Sequence, residues 1–192
     1  MSNNKKRVFI DCGGFNGSSI RKFLNETSDS SEYDLITFEP NPTFYRCYSG
    51  FGTNHTLIPA AVWTKEGELE FFLDEIDGDG SSVLREKTTG CLNKQFPLLV
   101  PSIDFSNWLK ENIKSSDEVC LKLDIEGAEY EVLEKMFSDG TIHLIKKLYI
   151  EWHWTKIPSV TKERHDQLVE RLIAIGIVPS LWDANTREYV NG

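Results

Sequence analysis

Phe9-Ile10-Asp11-Cys12-Gly13-Gly14-Phe15-Asn16-Gly17 decides how this chain is read. A mainly apolar run over 7–12 has the length of a buried strand. Three glycines then arrive within five positions and end it. Glycine is needed where a turn takes positive φ or where backbone must approach a ligand closely. A helix is predicted over 17–24, and its first N–H groups are free to face a carboxylate or phosphate. Strand, glycine turn and helix together read as the opening of a βα unit.

The turn spells D-x-G-x-x-x-G, not the G-x-G-x-x-G of dinucleotide sites. Asp11 just before it would repel a pyrophosphate and suits a ligand bearing a cationic amine. S-adenosylmethionine (SAM), with an amine, a carboxylate and a sulfonium, matches that pattern. The plain alternative is a tight βα turn beside a solvated Asp11.

Outward from this turn, strand and helix patterns alternate. Strands are predicted over 34–39, 56–62, 69–73, 119–124 and 148–151. Helices are predicted over 42–50, 105–113, 129–137 and 162–175, with Asp104 capping the second of these. Residues 177–182 and 187–190 read as a closing hairpin around Asn185. Alternation of this kind predicts an α/β fold in one domain over 1–192, a mostly parallel sheet with helices on both faces and an antiparallel edge. In such sheets, ligands bind beyond the carboxyl ends of the strands, at the switch in strand order. The 74–90 segment, rich in Gly, Asp and Ser, reads as a wall or lid of the pocket, partly disordered without ligand.

The chain has 192 residues and a net charge of −9. That charge argues against duplex nucleic acid as a partner, since phosphates must be neutralised by Lys and Arg. No apolar stretch reaches ~18 residues, so neither membrane insertion nor a signal peptide is predicted. Cys12, Cys47, Cys91 and Cys120 form no C-x-x-C pair. A disulfide framework is not expected at this density, and the default compartment is a reducing cytoplasm.

The other strand ends carry further polar groups. Glu39 follows Gly17 by 22 residues, near the ~20-residue spacing of a carboxylate that accepts from ribose hydroxyls. The Asp124-Ile125-Glu126-Gly127-Ala128-Glu129 stretch points Asp124 into the cleft, while Glu126 and Glu129 suit a helix N-terminus electrostatically. Glu151-Trp152-His153-Trp154 offers His153 as a general base. Its two Trp rings fit either a packed core or a platform for a sugar ring.

Taken together, these segments resemble the FkbM family of SAM-dependent methyltransferases. The matching pieces are the 9–17 turn, Phe38-Glu39-Pro40-Asn41-Pro42, Ala60-Ala61-Val62, Gly80-Ser81-Ser82, Ser102-Ile103-Asp104, LKLDIEGAE over 121–129, and Ile150-Glu151-Trp152-His153. The resemblance implies a Rossmann-like class I methyltransferase fold of seven strands. It implies an O-methyltransferase acting on a hydroxyl of a small-molecule or carbohydrate acceptor, often a sugar. It also implies that Asp11, Gly13, Gly14, Asn16 and Gly17 line the methionine part of SAM. Glu39 would hold the ribose, Pro40 and Asn41 the adenine side, and Ala61 would lie under the adenine. Asp124 would face the amino group or the acceptor. Many relatives carry structure ahead of the first strand that is not seen here, so acceptor recognition falls to an insertion over 63–103, the C-terminal part or another chain. Catalysis is expected from His153, with Asp124 and Glu126 behind it. A divalent cation held by these three is a second way to acidify the hydroxyl, but no metal is assigned. Three rivals remain: a nicotinamide-dependent oxidoreductase, a non-catalytic scaffold and a nucleic-acid methyltransferase.

Overall fold

The computed structural model describes residues 5–182. Its main sheet contains β1 (Arg7–Cys12), β2 (Tyr33–Phe38), β3 (His55–Ile58), β7 (Glu118–Leu123), β8 (Ile145–Ile150) and β9 (Ser180–Leu181). A second, three-stranded sheet contains β4 (Ala61–Trp63), β5 (Gly67–Phe71) and β6 (Leu98–Asp104). The helices are α1 (Ser18–Glu26), α2 (Phe105–Asn112), α3 (Glu129–Ser138) and α4 (Lys162–Ala174).

The main sheet runs β3-β2-β1-β7-β8-β9, and all its pairings are parallel. Strands buried on both faces must be apolar on both sides of the pleat, and β1 shows this directly. Val8, Ile10 and Cys12 pack with Leu121, Leu133, Leu168 and Leu172 beneath α3 and α4. Phe9, on the opposite face, packs with Ile20 and Phe23 of α1 and with Leu35, Cys120 and Trp182. The Phe9 and Phe23 rings stack at 4.0 Å. Asp104 caps α2 as predicted, its Oδ1 accepting from Asn107 N at 3.0 Å.

Two expectations are corrected at the edges. The sheet has six strands among the described residues, not seven. Of the predicted closing hairpin, the first arm forms β9, but Tyr149 pairs with Ser180 and Ile150 with Leu181 in parallel. The α4 crossover returns the chain to the sheet in the direction of β8, as βαβ geometry requires. The second arm, 187–190, lies outside the described residues.

The third predicted strand, 56–62, divides at Pro59-Ala60 into β3 and β4. β4 then pairs in parallel with β6, and β5 pairs with β6 antiparallel. β6 was not expected, because Pro101 interrupts its run and proline cannot donate to a ladder. The 74–90 segment, expected to be partly disordered, is tied down. Phe72 N donates to Ser82 O at 2.8 Å, Glu75 N to Cys91 O at 3.0 Å, and Ser82 Oγ to the Glu126 carbonyl at 2.8 Å. No helix among the described residues is long and apolar enough to cross a membrane.

Strand order reverses between β1 and β7. The chain builds outward one way through β2 and β3 and the other way through β8 and β9. The carboxyl ends of β1 and β7 therefore border the crevice.

Candidate functional site

The turn after β1 is shaped by what stands against it. Gly13 has φ +79, and a Cβ there would lie 1.8 Å from the Asp124 carbonyl oxygen. Only glycine lets the ends of β1 and β7 approach this closely. Phe15 takes φ 49, in the left-handed region that bulky residues avoid. It is clamped there by Glu39 Oε2, which accepts from Phe15 N at 2.7 Å, and by Tyr48, whose hydroxyl donates to Phe15 O at 2.7 Å.

Beyond this turn lies a cavity of about 760 Å³, within the usual range of ~300–1,000 Å³ for small-molecule sites. Gly13, Asn16, Glu39, Pro40, Ala61, Asp124 and Glu126 line it, together with Phe15, Ser18, Ser19 and much of 74–90. The insertion thus contributes a wall, built on the second sheet. Gly14, Gly17 and Asn41 stand behind this lining. Asn41 N donates to Glu39 Oε1 at 2.6 Å, and its own Oδ1 accepts from Thr43 N. Glu39 is 5% exposed. Burial pushes its carboxyl up to about 7, against the pull of the Asn41 and Phe15 N–H groups.

Asp11 does not reach the cavity. It is wholly buried beneath the turn, 3.2 Å from Lys122 Nζ. Lys122 also lies 3.2 Å from Asp124 Oδ2 and donates to Gly13 O at 2.6 Å. The carboxylate expected to meet a ligand amine is instead a counter-ion for a lysine that ties the turn to β7. Burial raises the Asp11 pKa, with Lys122 opposing it. Burial also lowers that of Lys122, but Asp11 and Asp124 outweigh this and hold it above the ordinary lysine value. Lys122 was missed in the sequence. The available signal was a pair of charges, Asp11 and Lys122, each following an apolar run (Val8–Ile10 and Val119–Leu121) in its strand, and the register makes them neighbours.

His153 is likewise fully buried and off the cavity lining. Its Nδ1 lies 2.9 Å from Glu129 Oε1. Its Nε2 faces Glu126 Oε1 and Glu151 Oε1 at 3.4 Å each and Asp124 Oδ1 at 3.9 Å. Burial lowers the imidazole pKa, but Glu129, Glu126 and Glu151 outweigh it and carry it to about 12. A ring held protonated in this way has no lone pair with which to accept a proton, so the expected role of general base does not suit it. Burial pushes Asp124 up to about 6, with Lys122 opposing. Burial also raises Glu126, but His153 and Lys87 bring it down to about 2. Glu126 sits at φ 54, in a region that costs a non-glycine residue roughly 1–3 kcal/mol. The surrounding contacts hold it there. Ser82 binds its carbonyl, and Lys87 Nζ lies 2.7 Å from Oε2.

Lys87, 2% exposed in the middle of the inserted segment, was also missed. A lysine in a polar loop looks solvated, and nothing in its spacing announces Glu126. Glu129 was read as a helix-end charge. It does serve that end, accepting from Ile125 N at 2.9 Å and Gly127 N at 3.0 Å, and it also fixes His153. Trp152 and Trp154 form no platform. They pack around His165 of α4, at ring separations of 4.9 and 5.5 Å.

Comparison with curated proteins and with solved structures returns no match. The family model described as the methyltransferase FkbM domain matches residues 11–175, from the end of β1 to just past α4. That span contains every cavity-lining residue named above, Asp124 and Glu126 included, and the wall contributed by the insertion. The chain belongs to the FkbM methyltransferase family.

Proposed function

We propose that this methyltransferase uses SAM and methylates a hydroxyl of a small molecule, with a sugar of a glycan or glycoconjugate as the acceptor class. The observation that carries this reading is that the glycine turn and Glu39 line one cavity at the strand-order switch. A nucleoside with an amino-acid tail fits the groups present. Glu39 keeps a carboxylate at the wall for ribose hydroxyls, Ala61 and Pro40 offer an apolar surface, and Asn16, Ser18 and Ser19 offer polar atoms at the start of α1. Bound there, SAM would supply a methyl group already activated by its sulfonium.

The protein's own task is then to hold the acceptor oxygen in line and to take its proton. Positioning alone can supply much of the acceleration. An alcohol also needs a base within hydrogen-bond reach. Asp124 and Glu126 line the cavity, so they are assigned that role. Asp124 comes first because burial raises its carboxyl to about 6, whereas at Glu126 burial is outweighed by His153 and Lys87, which hold it at about 2, too weak a base. His153, behind them, is assigned to orienting both carboxylates.

Calorimetric titration with SAM and S-adenosylhomocysteine tests the reading. Both should bind the wild type, and Glu39→Ala should lose most of the affinity because the ribose hydroxyls lose their acceptor. Wild-type affinity in that variant would remove Glu39 from the site. A wild type that binds neither compound would leave a scaffold of the same fold. A methylation assay across sugars, small phenols and RNA then selects the acceptor class.

A further inference from the structure

We propose that Asp124, Glu126 and His153 form a binding site for one divalent transition-metal ion of the Mn²⁺ type, at the wall of the cavity. One donor atom from each of the three lies within 4.8 Å of the others. Acidic clusters are common on proteins and are not by themselves sites, so the weight falls on His153. Its side chain is fully buried, and its Nε2 makes no hydrogen bond, although three carboxylate oxygens surround it. The nitrogen is aimed into the cluster at distances too long for a good hydrogen bond. A cation with bonds of ~2.0–2.2 Å would draw these donors together.

The orientation of each ligand is separately fixed. Asp124 turns Oδ2 to Lys122 and leaves Oδ1 toward Nε2. Glu126 turns Oε2 to Lys87 and leaves Oε1 toward Nε2. Glu129 engages Nδ1 of His153 at 2.9 Å and is itself held by the Ile125 and Gly127 N–H groups. A carboxylate on the far nitrogen of a ligating histidine fixes its tautomer and strengthens it as a donor. Glu151 Oε1, 3.4 Å from Nε2, stands ready as a further oxygen.

The charges agree with this assignment. With Lys122 balancing Asp11 and His153 neutral, as a ligating imidazole must be, four carboxylates (Asp124, Glu126, Glu129 and Glu151) face two ammonium groups, Lys87 and Lys156. The excess is two negative charges, the charge of one divalent cation. One imidazole with two or three carboxylate oxygens selects a first-row transition metal over Ca²⁺ or Mg²⁺, which prefer all-oxygen shells. In the absence of metal a proton occupies Nε2, and the two compete for it, as at any histidine ligand. The proposal stands on side-chain geometry and does not depend on SAM. Under the reading above, a hydroxyl reaching Asp124 and Glu126 would also lose its proton more readily.

The test uses the full chain, dialysed against EDTA and titrated with MnCl₂ without SAM. The free Mn²⁺ electron paramagnetic resonance signal should fall with a stoichiometry of one per chain, and the melting temperature should rise. Asp124→Asn and Glu126→Gln should each weaken binding at least tenfold. Should either variant fail to fold, the wild type decides alone. In histidine side-chain NMR spectra, Mn²⁺ should broaden His153 before His55, His143 and His165. No Mn²⁺ uptake, unchanged affinity in the folded variants, or broadening of another histidine first would each overturn the site. Since SAM is absent throughout, failure here is separate from failure of the methyl-transfer reading.

Discussion

Replacing Lys122 by methionine would remove one ammonium group and leave three partners without it. Asp11 is fully buried and has no other hydrogen-bond partner for its carboxylate oxygens. Asp124 loses a contact at 3.2 Å, and the Gly13 carbonyl loses a donor at 2.6 Å. Breaking a buried pair by removing one partner costs about 3–5 kcal/mol, because the other charge stays uncompensated. Against a total stability of about 5–15 kcal/mol, that is a large share. At about 2–4 °C per kcal/mol for a domain of this size, the midpoint should fall by roughly 6–20 °C. Urea denaturation followed by tryptophan fluorescence reads it, with the m-value checking that the unfolded state is unchanged. The double variant Asp11→Asn, Lys122→Met removes both charges and should recover more than half of the loss. If the single variant loses less than about 1 kcal/mol, or the double variant is no more stable than the single, the pair is not what ties the glycine turn to β7.

Gly13→Ala should cost about 2–5 kcal/mol, from left-handed strain plus overpacking against the Asp124 carbonyl, whereas Gly50→Ala, with nothing within 4 Å, should stay within about 0.5 kcal/mol. Equal thermal stabilities for the two variants would contradict the close approach. Glu39 titrates at about 7 when folded against an ordinary value of 4.5, in a setting that includes Asp11, Lys122, Tyr45 and Tyr48. The folded state then holds a proton that the unfolded state releases. Its stabilising contribution is full below 4.5 and is lost as pH rises toward 7, by about 3 kcal/mol in all. Across pH 4–8 the wild type should therefore lose about 3 kcal/mol relative to Glu39→Gln as pH rises, and a pH-independent difference between their denaturation curves would refute the raised value.

The parts of the fold that could be read in advance are those in which one local signal has one physical cause. β1 and its turn were legible because apolar residues and then glycines admit few other structures. Glu39 was legible because its spacing from Gly17 reflects the length of a βα unit. The misread parts depend on what lies far away in sequence. Nothing between 56 and 62 shows that Pro59-Ala60 carries the chain from one sheet into another. The strand at the centre of the second sheet carries Pro101, which cannot donate to a ladder, and no local alternation marks it. Lys122 and Lys87 look like solvated charges, and Asp11 like a ligand contact, until tertiary packing brings each to its counter-ion. His153 was legible in sequence together with Asp124 and Glu126, but its contacts with Glu129 and Glu151 were not. Glu129 was seen only as a helix-end charge and Glu151 only as a strand terminus, and both functions are compatible with the second one that folding adds.

The break at Pro59-Ala60 has a further effect on how the molecule can vary. It gives β4, β5 and β6 a small core of their own, from Ala61, Phe71 and Val100, and the inserted segment hangs from that core, not from β1 or β7. Length and composition there can drift, or be grafted from a relative, while the residues that cradle a common ligand keep their geometry. The anchors that would have to travel with any such transplant include Ser82 and Lys87, which reach across to Glu126, and Thr88, whose N–H donates to the Lys156 carbonyl at 2.9 Å.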